Sequence, residues 1–352
     1  DGIRDVERSR GLGDVYKRQS ELKNVPCFAS RLNSMGERLD LWSGENNVLG
    51  WIARQGTIKG LKLVDFNSPQ HFDGLTGKEV TSALENVSLR TGAVCTRFPS
   101  EFEGGAFTNP EPSKRRSAIN LVLKAGEWAR DLGARELVVW SAFDGYDYSL
   151  QADYEVMWNH CTEAFRTVCD SFPDLKVSLE PKPTEPRRFF IHNTTGTAML
   201  MVRDIDRENM GLTLDFGHCL MATENPGQSA ALAGQEGKLF GVQLNDGFVK
   251  PGSEDGLALG TVHPLMTLEF IYWLQRFDYQ GHIYFDTFPK NEDPVREAEY
   301  NIRRFCKWWK QAGSLDEKAI KDMLEKKDTM GCLLYTSPSP RDLSTSRMPS
   351  SA

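Results

Sequence analysis

The sequence predicts an α/β chain folded as a (β/α)₈ barrel with a C-terminal helical extension. Three observations carry that expectation. Eight short apolar runs recur along the chain, amphipathic stretches at helical spacing lie between most of them, and polar residues gather at the ends of the last four runs. In order, the runs are Val25–Ala29, Leu61–Phe66, Ala93–Phe98, Glu136–Trp140, Lys176–Glu180, Gly211–Phe216, Leu239–Leu244 and His282–Asp286. Ser113–Leu132, Asp153–Phe172, Pro264–Arg276 and Asp293–Gln311 place apolar side chains three and four apart, as a helix covering a sheet must. Thr91-Gly92, Gly133 and Gly281 punctuate the entries into strands. Ser314–Lys327 continues past the eighth unit as a charged helix, expected to serve as an arm onto a neighbouring subunit. A doubly wound open sheet is the alternative on pattern alone.

Composition bounds the function. With 352 residues, 39% hydrophobic and 26% charged, the chain can bury a sizeable core. A formal charge of −7 argues against a nucleic-acid partner, and no apolar run approaches the roughly 18 residues of a membrane helix. The two ends read as foreign to the fold. Ser9–Gln19 and Leu334–Asp342 can be encoded by complementary DNA strands, as inverted library adapters would be. The expected organisation is therefore adapter-derived residues 1–19, a catalytic barrel over 20–312, a helical extension over 313–331 and adapter-derived residues 332–352. Between those flanks, Cys27, Cys95, Cys161, Cys169, Cys219 and Cys306 show no Cys-x-x-Cys spacing. Isolated cysteines in a domain this large point to a reducing, cytoplasmic setting.

In such barrels chemistry sits at the C-terminal ends of the strands. Glu180, Asp215, Gln243 and Asp286 end four successive runs, and together they form an all-oxygen set with three carboxylates. That set suits Mg²⁺ or Mn²⁺ better than Zn²⁺, with Co²⁺ as a further candidate. Lys182 follows Glu180 by two residues, so both point to one side of the strand end. Asp215-Phe216-Gly217 also spells a kinase tripeptide, but no glycine-rich or catalytic loop accompanies it. Trp308-Trp309 reads as packing.

Leu179-Glu180-Pro181-Lys182-Pro183-Thr184-Glu185-Pro186-Arg187 resembles the Glu-Pro-Lys-Pro-x-Glu-Pro-Arg signature of xylose isomerases, with Glu185-Pro186 also falling where rhamnose isomerases carry a similar run. Gly104-Gly105-Ala106-Phe107-Thr108 followed by Arg115-Arg116, Val139-Trp140, and Gly237-Lys238-Leu239-Phe240 leading to Leu244-Asn245 resemble further segments of the same family. The chain is thus identified as a member of the xylose isomerase-like barrel superfamily. The resemblance implies a metal-dependent isomerase interconverting an unphosphorylated aldose and ketose by a hydride shift. Lys182, Glu180 and Asp286 would be catalytic, and Phe107, Trp140 and Asn245 would touch the sugar. It further implies a homo-oligomer, a dimer or tetramer, and a second cation held by Asp215, His218 and loop acids Glu254 and Asp255, with Gly256 where a third acid would be expected.

Departures from the family pattern keep a second reading open. Asp215 stands where xylose isomerases carry Glu, Gln243 replaces an Asp or His, His71 lies four residues beyond the expected position, and Phe288 replaces a second catalytic lysine. The alternative is an epimerase, or a lyase or dehydratase, working through an enediolate on a sugar or polyol-derived substrate. A DNA-repair endonuclease on this fold would need a zinc-binding histidine cluster, which the sequence does not match, and the acidic charge opposes phosphate binding.

Overall fold

The computed structural model describes residues 24–248 and 254–336. The outer flanks expected to be adapter-derived fall largely outside the described residues. Eight parallel strands form one sheet: β1 (Phe28–Ser30), β2 (Leu63–Ser68), β3 (Arg90–Arg97), β4 (Glu136–Trp140), β5 (Lys176–Leu179), β6 (Met210–Asp215), β7 (Leu239–Leu244) and β8 (Ile283–Phe285). Their spatial order runs from β1 through β8, β7, β6, β5, β4 and β3 to β2. Lys62 N donates to Phe28 O at 3.2 Å across the remaining seam, so the sheet is a nearly closed barrel rather than the open alternative. All eight expected strands are present. The third begins earlier than expected, at Arg90, because its exposed first residue pairs in register with Leu63.

The strands are joined over their outer face by α1 (Val48–Gln55), α2 (Gly77–Asn86), α3 (Pro112–Asp131), α4 (Tyr154–Ser171), α5 (Thr195–Ile205), the short α6 (Phe216–Met221), α7 (Pro226–Gln235), α8 (Pro264–Arg276) and α9 (Pro294–Gly313). Their starts carry local signals. Asp153 caps α4 by accepting from Val156 N, Thr76 and Glu79 form a capping box on α2, and α3, α7, α8 and α9 open with proline. A two-stranded ribbon, Gly145–Tyr146 with Phe189–Phe190, ties the loop after β4 to the loop after β5.

The main core lies between strands and helices and includes Trp308 and Trp309, as their packing role predicts. Inside the barrel, Ala29, Leu63 and Tyr284 form one small apolar cluster, and Ala93, Cys95 and Val138 form another beneath Trp140. Below them a polar layer closes the lumen. Glu136 accepts from Ser178 Oγ at 2.5 Å and Thr213 Oγ1 at 2.6 Å, and His282 Nε2 meets Asp65 Oδ2 at 2.7 Å. These bonds satisfy the buried polar atoms and leave the lumen open for chemistry only at its upper end.

The extension comprises α10 (Glu317–Glu325) and α11 (Thr329–Thr336). The helix expected to reach a neighbour also packs on its own barrel: Ile320 is buried, and Arg276 of α8 pairs with Glu317 at 3.3 Å. α11 runs across the expected limit at residue 331, with none of its residues buried. No helix among the described residues is long and apolar enough to cross a membrane.

Candidate metal centre

Strand parity brings the expected acids to one place. Glu180 follows β5, Asp215 ends β6, and Asp286 follows β8; all three are buried. Asp215 and Gln243 are register partners on β6 and β7, and Gln243 Nε2 donates to Glu180 Oε2 at 3.1 Å. That bond fixes Glu180 and leaves the amide oxygen of Gln243 as the atom it can offer a cation.

The set expected to form a second centre is drawn together most tightly. Ligand atoms of Asp215, His218 and Glu254 lie within 4.8 Å of one another, and among the described residues no other trio of His, Cys, Asp or Glu does so. His218 sits in α6, whose N-terminus Asp215 caps by accepting from His218 N at 2.9 Å. His218 Nδ1 lies 3.1 Å from Pro181 O, and Nε2 lies 3.1 Å from Glu254 Oε2. Nδ1 also lies 3.4 Å from Glu180 Oε1, and the carbonyl on Nδ1 leaves Nε2 as the nitrogen facing Glu254, the usual orientation of a metal-ligating imidazole. Asn245 braces the group. Its Nδ2 faces both oxygens of Asp215 at 3.3 Å, Glu254 Oε1 at 2.9 Å and Asp286 O at 3.2 Å. Gly217 is required here, because a Cβ would meet Asn245 Oδ1 at 2.2 Å.

The electrostatics are those of an acid cluster short of positive charge. Burial, reinforced by Asp286 and Glu254, pushes Glu180 up to about 8. Burial also pushes Asp215 up to about 8 and raises Asp286. Burial would raise Glu254 too, but His218 and Lys182 outweigh it and hold that carboxyl well below the usual range. Burial would lower His218 and Lys182, yet the surrounding carboxylates raise both. Lys182 Nζ reaches Glu254 Oε2 at 3.0 Å and Glu185 Oε2 at 3.1 Å, and lies 5.4 Å from the Trp140 ring centre. A buried set of hard oxygens, one imidazole nitrogen and an excess of carboxylate charge fits a divalent cation.

A cavity of about 370 Å³ opens beside this cluster, bounded by Glu180, Lys182, His218, Glu254, Asp286 and Trp140. Five residues on its wall were not expected from the sequence: Arg31, Arg97, Phe98, Ala142 and Phe143. Arg97 was legible by parity, since Ala93 and Cys95 on the same strand also face the lumen. Three expectations are corrected. Phe107 is fully buried behind the wall, edge-on to Phe98 and Phe165, and so packs the core instead of facing a sugar. Its segment matters through its backbone: Asp144 accepts from Ala106 N, Phe107 N, Thr108 N and Thr108 Oγ1. Asn245 is buried among carboxylates and does not line the cavity. Asp255 turns away from the trio to accept from Phe248 N at 2.7 Å, bracing the loop.

Two departures from the family pattern prove to be one. Gly256 has φ +61°, and a Cβ there would stand 2.1 Å from the Phe288 ring, whose backbone N donates to Gly256 O at 2.8 Å. The Phe288 ring fills the volume that an acid at position 256 would need. His71 is buried and bonded to Asn67 N and Asn33 Oδ1, away from the cavity wall.

The model of the xylose isomerase-like TIM barrel family matches residues 61–312. Xylose isomerase of Thermus thermophilus is 30% identical over 246 residues, covering 68% of this chain and 62% of that protein. The chain therefore spans under two thirds of that relative. Among solved structures, a D-tagatose 3-epimerase-like protein superposes with a TM-score of 0.64 at 16% identity, covering 82% of this chain and 100% of the other. D-allulose 3-epimerase from Methylomonas sp. gives 0.61 at 18% identity, covering 81% and 98%. At these identities the structural likeness speaks for the fold.

Proposed function

The chain belongs to the xylose isomerase-like TIM barrel family, and from that premise we propose that it is a divalent-metal-dependent isomerase of sugars, converting an aldose to a ketose by a hydride shift. The observation that carries this reading is the placement of the Lys182 ammonium on the wall of the cavity that Glu180 and Asp286 also line, next to the Asp215–His218–Glu254 trio. Glu180, Asp215, Gln243 and Asp286, with His218 and Glu254, would hold Mg²⁺ or Mn²⁺, which supplies Lewis-acid polarisation of a sugar carbonyl and of the hydroxyl beside it.

The chain's own residues account for the rest. Lys182 donates to the carbonyl oxygen on which negative charge grows, a contact stronger in the transition state than in the ground state. Glu254 and Glu185 keep the ammonium charged and fixed in direction. Trp140, Phe98, Phe143 and Phe288 cover the cavity with apolar surface and exclude water from the reacting carbons. The acid after β8 is Asp286, one methylene shorter than Glu, and it is held by a 3.5 Å contact with Arg31. That favours a ligand role over carrying a proton to carbon.

Incubating Mn²⁺-loaded protein with a panel of aldoses and ketoses in D₂O tests the reading. A ketose of unchanged mass with no solvent deuterium on carbon is expected. Deuterium at the reacting carbon would replace the hydride shift with proton transfer through an enediolate, which Glu180 and Asp286 on one cavity would serve, and a stereoisomer in place of an aldose–ketose exchange would make it an epimerase. Loss of water would point to a dehydratase.

A further inference from the structure

We propose that the substrate is a sugar acid whose carboxylate is gripped by Arg31 and Arg97, on the β1 and β3 side of the cavity. This deepens the isomerase reading and rests on it. The barrel mouth is divided in charge. Glu180, Asp215 and Asp286 come from β5, β6 and β8, whereas Arg31 follows β1 and Arg97 ends β3. Both arginines line the 370 Å³ cavity.

Each guanidinium keeps an N–H unused. The Nε of each is buried without a hydrogen-bond partner among the described residues. Arg31 comes no nearer to Asp286 Oδ1 than 3.5 Å. The guanidinium carbon of each instead lies over an aromatic ring, Arg31 at 4.7 Å from the Phe288 ring centre and Arg97 at 4.8 Å from that of Trp140. The unpartnered Nε–H groups stay available for a carboxylate, which a guanidinium binds edge-on. His71, after β2, reports the same placement: burial first, and then the charges of Arg97 and Arg31, push it down to about 3. A buried donor without a partner is costly, so a ligand that supplies one gains affinity by relieving it.

Two cations on one wall select an acidic ligand. A neutral sugar would leave both guanidiniums unanswered, whereas a carboxylate supplies the acceptor that each buried Nε lacks. A hydroxylated monocarboxylate of uronate size fits the volume.

Calorimetric titration of Mn²⁺-loaded protein with D-glucuronate, D-galacturonate, D-glucose, D-xylose and glucose 6-phosphate tests this. Uronates should bind at least tenfold more tightly than the neutral sugars, with a ratio that falls as salt rises. Arg97→Gln should reduce that ratio by tenfold or more while leaving glucose affinity within threefold; for Arg31→Gln the ratio alone is read, since Arg31 also contacts Asp286. Thermal unfolding checks that both variants fold, and the wild-type ratio stands as a test without them. Equal binding of acidic and neutral sugars overturns the proposal, as does an equal loss for both in the variants. Glucose 6-phosphate binding tenfold more tightly than any uronate overturns it in favour of a phosphorylated sugar. Turnover is scored separately. Arg97-dependent uronate binding with no isomerisation of any sugar refutes the isomerase reading alone; turnover of neutral sugars without uronate preference refutes this one alone.

Discussion

Stripped of metal, the protein should lose stability as pH rises from about 5 to about 8, and Mn²⁺ should restore it. Glu180, ordinarily at 4.5, and Asp215, ordinarily at 3.8, are both pushed up to about 8, chiefly by burial. Between those limits the unfolded chain has released protons that the folded chain still holds, so stability falls as pH rises. His218 acts in the same direction: its pKa is raised, so its contribution is complete below its ordinary 6.5 and is lost above it. Glu254 is depressed, and its contribution is already complete above 4.5, so it leaves the slope unchanged. At about 1.4 kcal/mol per unit, Glu180 alone accounts for roughly 3–4 kcal/mol across this window. That is a large part of the roughly 5–15 kcal/mol that holds a domain together, and on the order of 10 °C in Tm. Thermal unfolding by circular dichroism, in chelator and in Mn²⁺ at each pH, measures it. Because the cation competes with these protons, its stabilisation should grow over the same window, and Glu180→Gln should flatten the metal-free slope. A metal-free stability that is flat or rises with pH would refute the reasoning, as would a Mn²⁺ effect equal at both ends.

Lys182→Met should keep the cation but lower kcat by roughly 10²–10³, the worth of one donor aimed at developing negative charge; a wild-type rate would make Lys182 a structural partner of Glu254 only. Asp144→Ala should cost about 2–4 kcal/mol, because four donors of the Ala106–Thr108 segment lose a buried acceptor. Hydrogen exchange should show that segment opening first, and unchanged protection there would count against the assignment. Gly256→Ala should destabilise by about 2–4 kcal/mol through its positive φ and the Phe288 contact. Adding Phe288→Ala should recover part of that loss in denaturant unfolding, and strict additivity would show that the two positions do not meet.

What was legible followed periodicity. Apolar runs fixed the strands, and the same alternation put Glu180, Asp215, Gln243 and Asp286 at the strand ends, but the trio whose ligand atoms gather within 4.8 Å is Asp215, His218 and Glu254. Arg97 obeys the identical rule, but a lone cation at a strand end belongs to no metal-ligand pattern. Phe107 was placed by likeness of motif, and its ring packs the core because Asp144 folds the backbone around it. Glu254 and Asp255 show where the sequence is silent. Adjacent acids in a loop have no period, and Glu254 meets Lys182, beyond β5, and His218, in α6, through contacts that exist only in three dimensions.

The shared volume of Gly256 and Phe288 sets an order on change. A side chain cannot be added at 256 until the ring at 288 has shrunk, so the two substitutions are epistatic, and the path with 256 first passes through a clash. The ring is also the surface on which Arg31 lies. Shrinking it to admit an acid on one side removes the support of a cation on the other. The number of carboxylates the loop can carry and the charge the cavity accepts would therefore be inherited together, and a descendant of this chain could not readily alter one while keeping the other.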